Sequence, residues 1–170
     1  MQAHLIFQKI SPELGRGIIQ WMREQEKEVY KAAVQTLAQH RKVRPVYITQ
    51  KHRDQQTDFL LESMKMKLTE GVGENVLQVW LMKGKPDMLA DFLDALGIGH
   101  DGKGGVEGDL PESLDAEKVA AGGETLLSKY PAEEVFVYLS LFQLQRPGGW
   151  PEIAAAIEKC GLPATAGSAS

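Results

Sequence analysis

Cysteine is nearly absent from this chain: Cys160 stands alone among 170 residues, so no internal disulfide can form. Such usage fits a reducing compartment. Long apolar runs are missing too. The longest nearly apolar stretch, residues 135–142, falls far short of the roughly 20 residues a membrane-spanning helix needs. Residues 1–9 lack the basic start and apolar centre of a signal peptide. We therefore expect a cytoplasmic protein with no membrane partner. The histidines His4, His40, His52 and His100 are scattered, and none forms a His-x3-His or Glu-flanked metal pair. No cofactor, metal site or catalytic residue is assigned on this basis, and the balance leans away from an enzyme. Cys160 has no neighbouring histidine and reads as a small core residue.

What the chain has is punctuation. Pro12, Pro45, Pro86, Pro131 and Pro151 are each followed by apolar residues at helical spacing. Proline suits the first helical turn, where its fixed φ is pre-set and no amide partner is lost. Inside a helix it clashes, so each proline also ends what precedes it. With 43% hydrophobic and 25% charged residues, the composition is that of an ordinary globular protein. A chain this long buries roughly 70% of its unfolded surface, enough to hold without staples. The expected fold is all-α: a single-domain bundle of six or seven helices packed as antiparallel hairpins, with a short solenoid-like array as a variant. Residues 1–162 form the helical domain, and the small, polar residues 163–170 a disordered tail.

The first long helix is expected from about Ile18 to His40, since Gly15 and Gly17 weaken its start after the Ser11-Pro12 cap. The second runs from Pro45 to about Leu68. Residues 49–58 within it contain no hydrophobe, which predicts a solvated helix or the wall of a wet groove. After a turn over residues 69–73, two hairpins follow. One pairs residues 76–81 with 88–96, the other residues 119–127 with 135–142. A shift of 46 residues aligns Trp80 with Leu126, Leu89 with Val135 and Phe92 with Tyr138, a period within the range of two-helix repeats. Gly122 and Gly123 inside the second hairpin predict close helix packing or a break.

Two stretches carry chemistry worth weighing. Residues 29–53 contain no acid, while Arg41, Lys42, Arg44, Lys51 and Arg53 are cationic. Cations at a helix C-terminus offset its dipole. The same residues form a candidate contact for a partner or for the phosphates of a nucleic acid. Charge is divided along the chain. Residues 1–68 hold 12 Lys/Arg against 7 Asp/Glu, a net of +5, and the rest carries −9. The total of −4 and a pI near 5.6 weigh against nucleic acid.

The other stretch is residues 97–114, too long for an ordinary inter-helix connection. Its candidate residues are His100, Asp101, Lys103, Glu107 and Asp109. Gly97, Gly102 and Lys103 copy part of a phosphate loop, but Gly104 stands where a hydroxyl belongs. Asp101 to Glu112 matches a calcium loop at its two ends only. A surface connector with a short hairpin near Gly102 to Gly105 explains the glycines more simply.

The leading function is a non-enzymatic protein-interaction or regulatory module, with another protein or a second copy as partner. A nucleic-acid-binding protein using residues 40–53 comes next. An enzyme or metal-binding protein using the 97–114 loop is third.

Overall fold

The computed structural model describes residues 1–162; the expected tail, 163–170, lies outside the described residues. The fold is all-α. Among the described residues there are ten α-helices rather than six or seven, and one isolated antiparallel bridge in place of any sheet. The helices gather into two compact units, Gln2–Trp80 and a second beginning at Leu81.

The larger helix count arises because both long helices of the first unit break. The stretch expected as one helix to His40 is α2 (Pro12–Gln25) and α3 (Lys27–His40), separated at Glu26, whose φ of −130° and ψ of 62° leave the helical region. Helix α2 begins at Pro12, earlier than expected. The Ser11 hydroxyl accepts from the Leu14 amide at 3.2 Å, and the bare Cα of Gly15 lets Leu61 pack close against it. The stretch expected from Pro45 to Leu68 is α4 (Pro45–Thr49), α5 (Arg53–Met64) and a 3₁₀ turn over Lys67–Thr69. Residues 70–73, read from sequence as a turn, already belong to α6 (Glu70–Val79).

The polar stretch 49–58 is mostly exposed but faces inward in part. Gln56 and Thr57 are buried. The Gln56 side chain donates to the Ile48 carbonyl at 3.2 Å and accepts from the Tyr30 hydroxyl. Arg23 donates to Thr57 and to the Arg53 carbonyl, and its guanidinium lies 5.4 Å from the Tyr30 ring centre. Buried polar groups with their partners supplied cost little and fix a unique packing. Ile18, Ile19, Met22, Leu37, Ile48 and Leu60 of the same unit are all buried. The first helix, α1 (Ala3–Lys9), packs on α6. The Glu70 carboxylate takes the Ala3 and His4 amides and the His4 ring. Burial pushes the Glu70 carboxyl up, but these bonds outweigh it and leave it below the ordinary value.

A π-helical turn over Trp80–Gly84 carries the chain into the second unit. That unit holds α7 (Pro86–Leu96), α8 (Ala116–Lys129), α9 (Ala132–Leu144) and α10 (Pro151–Glu158). The boundary between units thus falls inside the first expected hairpin, and α7 packs mainly on α8. Gly122 marks close packing and not a break: a Cβ there would lie 3.0 Å from Ala95 Cβ and 3.2 Å from the Phe92 ring. Phe92 meets Tyr138 and Phe142 edge-on at 5.6 Å, and Trp150 tilts against Phe142 at 5.2 Å. Of the five opening prolines, Pro12, Pro45, Pro86 and Pro151 are the first residues of their helices, and Pro131 is the cap before α9. No helix among the described residues is long and apolar enough to cross a membrane.

Candidate functional site

Helix α3 closes in a C-terminal motif that fixes the basic turn. The Val43 amide bonds back to the Ala38 carbonyl at 2.9 Å and the Lys42 amide to Gln39 at 3.1 Å. This closure requires a left-handed residue between helix and exit, and Lys42 fills that position at φ 55°. Arg41 is the C-cap of α3, Arg44 precedes α4 and Arg53 opens α5. Lys51 lies in the break between α4 and α5.

Helix α4 has three successive apolar residues on five positions, and so short a helix can bury only one face. Ile48 is fully buried, while Val46 and Tyr47 remain 49% and 50% exposed. The cations gather about them. The Lys51 ammonium lies 4.4 Å from the Tyr47 ring centre and 5.8 Å from that of Phe59. The Arg41 guanidinium lies 4.8 Å from the Phe59 ring centre, with a nitrogen 3.5 Å from the Ser63 hydroxyl. Tyr47 and Phe59 meet edge-on at 6.1 Å. Lys42, Arg44 and Arg53 of the same turn are exposed. The turn therefore combines half-exposed apolar surface with cations held over aromatic faces. Sequence reasoning found the cations but not the roles of Val46 and Phe59. A run of three apolar residues just after Pro45 was the available signal.

The 97–114 loop is built differently. The His100 and Val106 backbones pair as an antiparallel bridge, with the Asp101 amide on the Gly105 carbonyl at 3.0 Å and the Glu107 amide on Gly99 at 2.9 Å. Asp101 Oδ1 accepts the Lys103 amide at 2.8 Å and the Gly105 amide at 3.0 Å. Those two amides hold its carboxyl below the ordinary value, Lys103 contributing most. The His100 ring sits between Asp94 (Nε2 to Oδ1, 2.6 Å) and the Gly102 amide, which donates to Nδ1 at 3.0 Å. Nδ1 must accept there, so the ring proton belongs on Nε2. Gly104, at φ 91°, lies so close to α7 that a Cβ would fall 2.5 Å from Leu89 Cβ.

The polar atoms of His100 and Asp101 are thus spent on Asp94 and on the hairpin's own amides. A phosphate loop needs free amides converging at a helix N-terminus; here those of Gly102, Lys103 and Gly105 point at His100 and Asp101. Lys103, Glu107 and Asp109 are exposed. Among the described residues no three His, Cys, Asp or Glu side chains are placed to hold a metal. Cys160 is buried, which pushes its thiol up to about 11.

Beyond the hairpin, residues 106–112 and 145–150 enclose a groove of about 390 Å³. Trp150 forms its inner wall and donates from Nε1 to the Pro111 carbonyl at 3.2 Å. A second groove, about 310 Å³, lies in the first unit among small side chains of α3 and α6 such as Ala32, Thr36 and Val72. Comparison with protein-family profiles, curated proteins and solved structures finds no match for this chain.

Proposed function

We propose that the chain is a non-enzymatic protein-interaction module of the cytoplasm whose contact surface is the basic turn of residues 41–53. The observation that supports this reading is the exposed Val46–Tyr47 pair ringed by cations, two of which lie over Tyr47 and Phe59. Aromatic and arginine side chains dominate the binding energy of protein interfaces, and a flanking rim of charge steers the encounter. The partner is a protein segment that offers apolar side chains between carboxylates.

The nucleic-acid alternative uses the same cations, but the geometry favours it less. Base reading calls for a helix that lies along a groove, and α4 ends after five residues. The third reading, a catalytic or metal site in the 97–114 loop, loses His100 and Asp101, which are bonded to Asp94 and to the hairpin's own amides.

The test is a titration by fluorescence anisotropy with two probes, an acidic leucine-bearing peptide and a duplex DNA. We expect the peptide to bind, and Tyr47→Ala together with Arg44→Glu to weaken it at least about tenfold, a change of 1.4 kcal/mol. DNA binding that falls steeply with salt and disappears in the same variant would replace this reading with the nucleic-acid one.

A further inference from the structure

The groove of residues 106–112 and 145–150 offers what the basic turn lacks. Its apolar wall comes from Val106, Leu110, Pro111 and Pro147, and Asp109 and Glu112 stand on its rim. Residues 107–117 carry five acids, Glu107, Asp109, Glu112, Asp115 and Glu117, and no cation. They are the counterpart of the acid-free stretch 29–53. Arg146 also lines the groove, but its guanidinium is committed: it donates to the Glu112 carbonyl and lies 5.8 Å from the Trp150 ring centre.

We infer that the basic turn of one copy of this chain docks in this groove of a second copy. The inference rests on the reading of the turn as a protein-contact surface and names its partner. Val46 and Tyr47 are the only large apolar side chains of the described first unit, besides Leu68, that stand well out of their packing. They are flanked by Lys42, Arg44 and Lys51, so apolar meets apolar and cation meets carboxylate. The groove is preformed, because Trp150 is anchored at both ends. Its amide donates to Gln143 at 2.8 Å and its indole to Pro111. A preformed receptor loses little entropy on binding. The other groove, among Ala32, Thr36 and Val72, has no carboxylate in its lining to answer the cations.

Turn and groove are different surfaces, so the contact is head-to-tail, and an assembly of any length keeps one unfilled turn and one unfilled groove at its ends unless a ring closes. That asymmetry provides the test. In sedimentation velocity the full chain should gain mass with concentration at low salt and return to monomer near about 0.5 M salt, where charge attraction is screened. A turn variant (Arg44→Glu, Tyr47→Ala) and a groove variant (Asp109→Lys, Glu112→Lys) should each stay monomeric while keeping the wild-type helical spectrum. Mixed in equal amounts, they still offer one intact turn and one intact groove, so the mass should rise to two copies and stop. The milder Arg44→Ala and Asp109→Asn should each shift the association to higher concentration and serve if the double variants misfold. A wild type that is monomeric throughout, or a mixture that stays monomeric, would overturn the inference. If that wild type still binds the acidic peptide through Tyr47, the interaction reading stands without self-association; if it does not, both fall.

Discussion

The basic turn and the glycine-rich loop look alike in sequence, each a polar connection with charged candidates, and the structure uses them in opposite ways. In the hairpin at the start of the 97–114 loop, His100 and Asp101 point back at the chain. Asp101 holds two amides, and His100 is bonded through both ring nitrogens. In the 41–53 turn the backbone closes by its own carbonyls, and the side chains are left for the surface. What decides whether a charged connection can act on a partner is therefore how its backbone is satisfied. A loop with few helical neighbours must spend carboxylates and imidazoles on its own amides. A turn that ends a helix can borrow the helix's last carbonyls and keep its side chains free.

The largest expected effect breaks this comparison on the loop side. Gly104→Ala combines a left-handed φ with a Cβ 2.5 Å from Leu89 Cβ. Strain and overpacking together should cost about 2–4 kcal/mol, read as a lowered urea midpoint, with no change in what the turn binds. A midpoint within error of the wild type would mean that the hairpin is not held against α7.

On the turn side the expected effect is smaller. Arg41→Glu loses the guanidinium over Phe59 and reverses a charge at the C-terminus of α3, at a cost of about 1–2 kcal/mol. Arg44→Glu, at an exposed position before α4, should leave the urea midpoint almost unchanged and yet weaken partner binding more than Arg41→Glu does. If both act on stability alone, the turn is scaffolding like the hairpin around His100 and Asp101.

Much of this was legible in the sequence. The prolines located the starts of α4, α7 and α10 to the residue, and the apolar residues in 88–96, 119–127 and 135–142 marked the middles of α7, α8 and α9. What escaped was of two kinds. Breaks inside helical runs leave no proline or glycine to mark them: Glu26 leaves the helix by a backbone rotation that most residues can make. The boundary at Trp80 and Leu81 hides within a π-turn for the same reason. Buried polar residues were the second kind. Gln56 and Thr57 are read as surface by their chemistry, and only the arrival of Tyr30 and Arg23 from other helices turns them into core. The cations of the candidate site could be listed from sequence, but their aromatic supports, Tyr47 and Phe59, lie twelve residues apart and meet only through the fold.

A subtler effect tests the loop's dependence on one carboxylate. The Asp101 carboxyl titrates below its ordinary 3.8 because the folded hairpin donates to its charged form. Its support of the hairpin is therefore complete above that ordinary value and is lost as pH falls through the lowered one. The amide resonances of Lys103 and Gly105 should shift with a midpoint below 3.8. Asp101→Ala should leave global stability near wild type and speed hydrogen exchange at both amides. A titration midpoint at or above the ordinary value would show that the carboxylate accepts neither bond in solution.

The smallest effect sharpens the comparison most, because it sets stability against contact at one residue. Helices α3 and α7 end in the same left-handed closure, the first with Lys42 at φ 55° and the second with Gly97 at φ 71°. A side chain at such a φ carries strain on the order of 1 kcal/mol that glycine does not. Glycine in turn gives the unfolded chain more freedom, which offsets part of the gain. Lys42→Gly should thus stabilise the chain by about 0.5 kcal/mol. A lysine at this position gives up that stability and adds an exposed cation to the turn in return. If the turn is a contact surface, the more stable glycine variant should bind the acidic peptide more weakly, and the peptide's salt dependence should flatten by about the share of one cation. If Lys42→Gly raises the melting temperature and leaves both unchanged, this lysine has no part in the contact, and the binding surface contracts to Arg44, Tyr47 and Lys51.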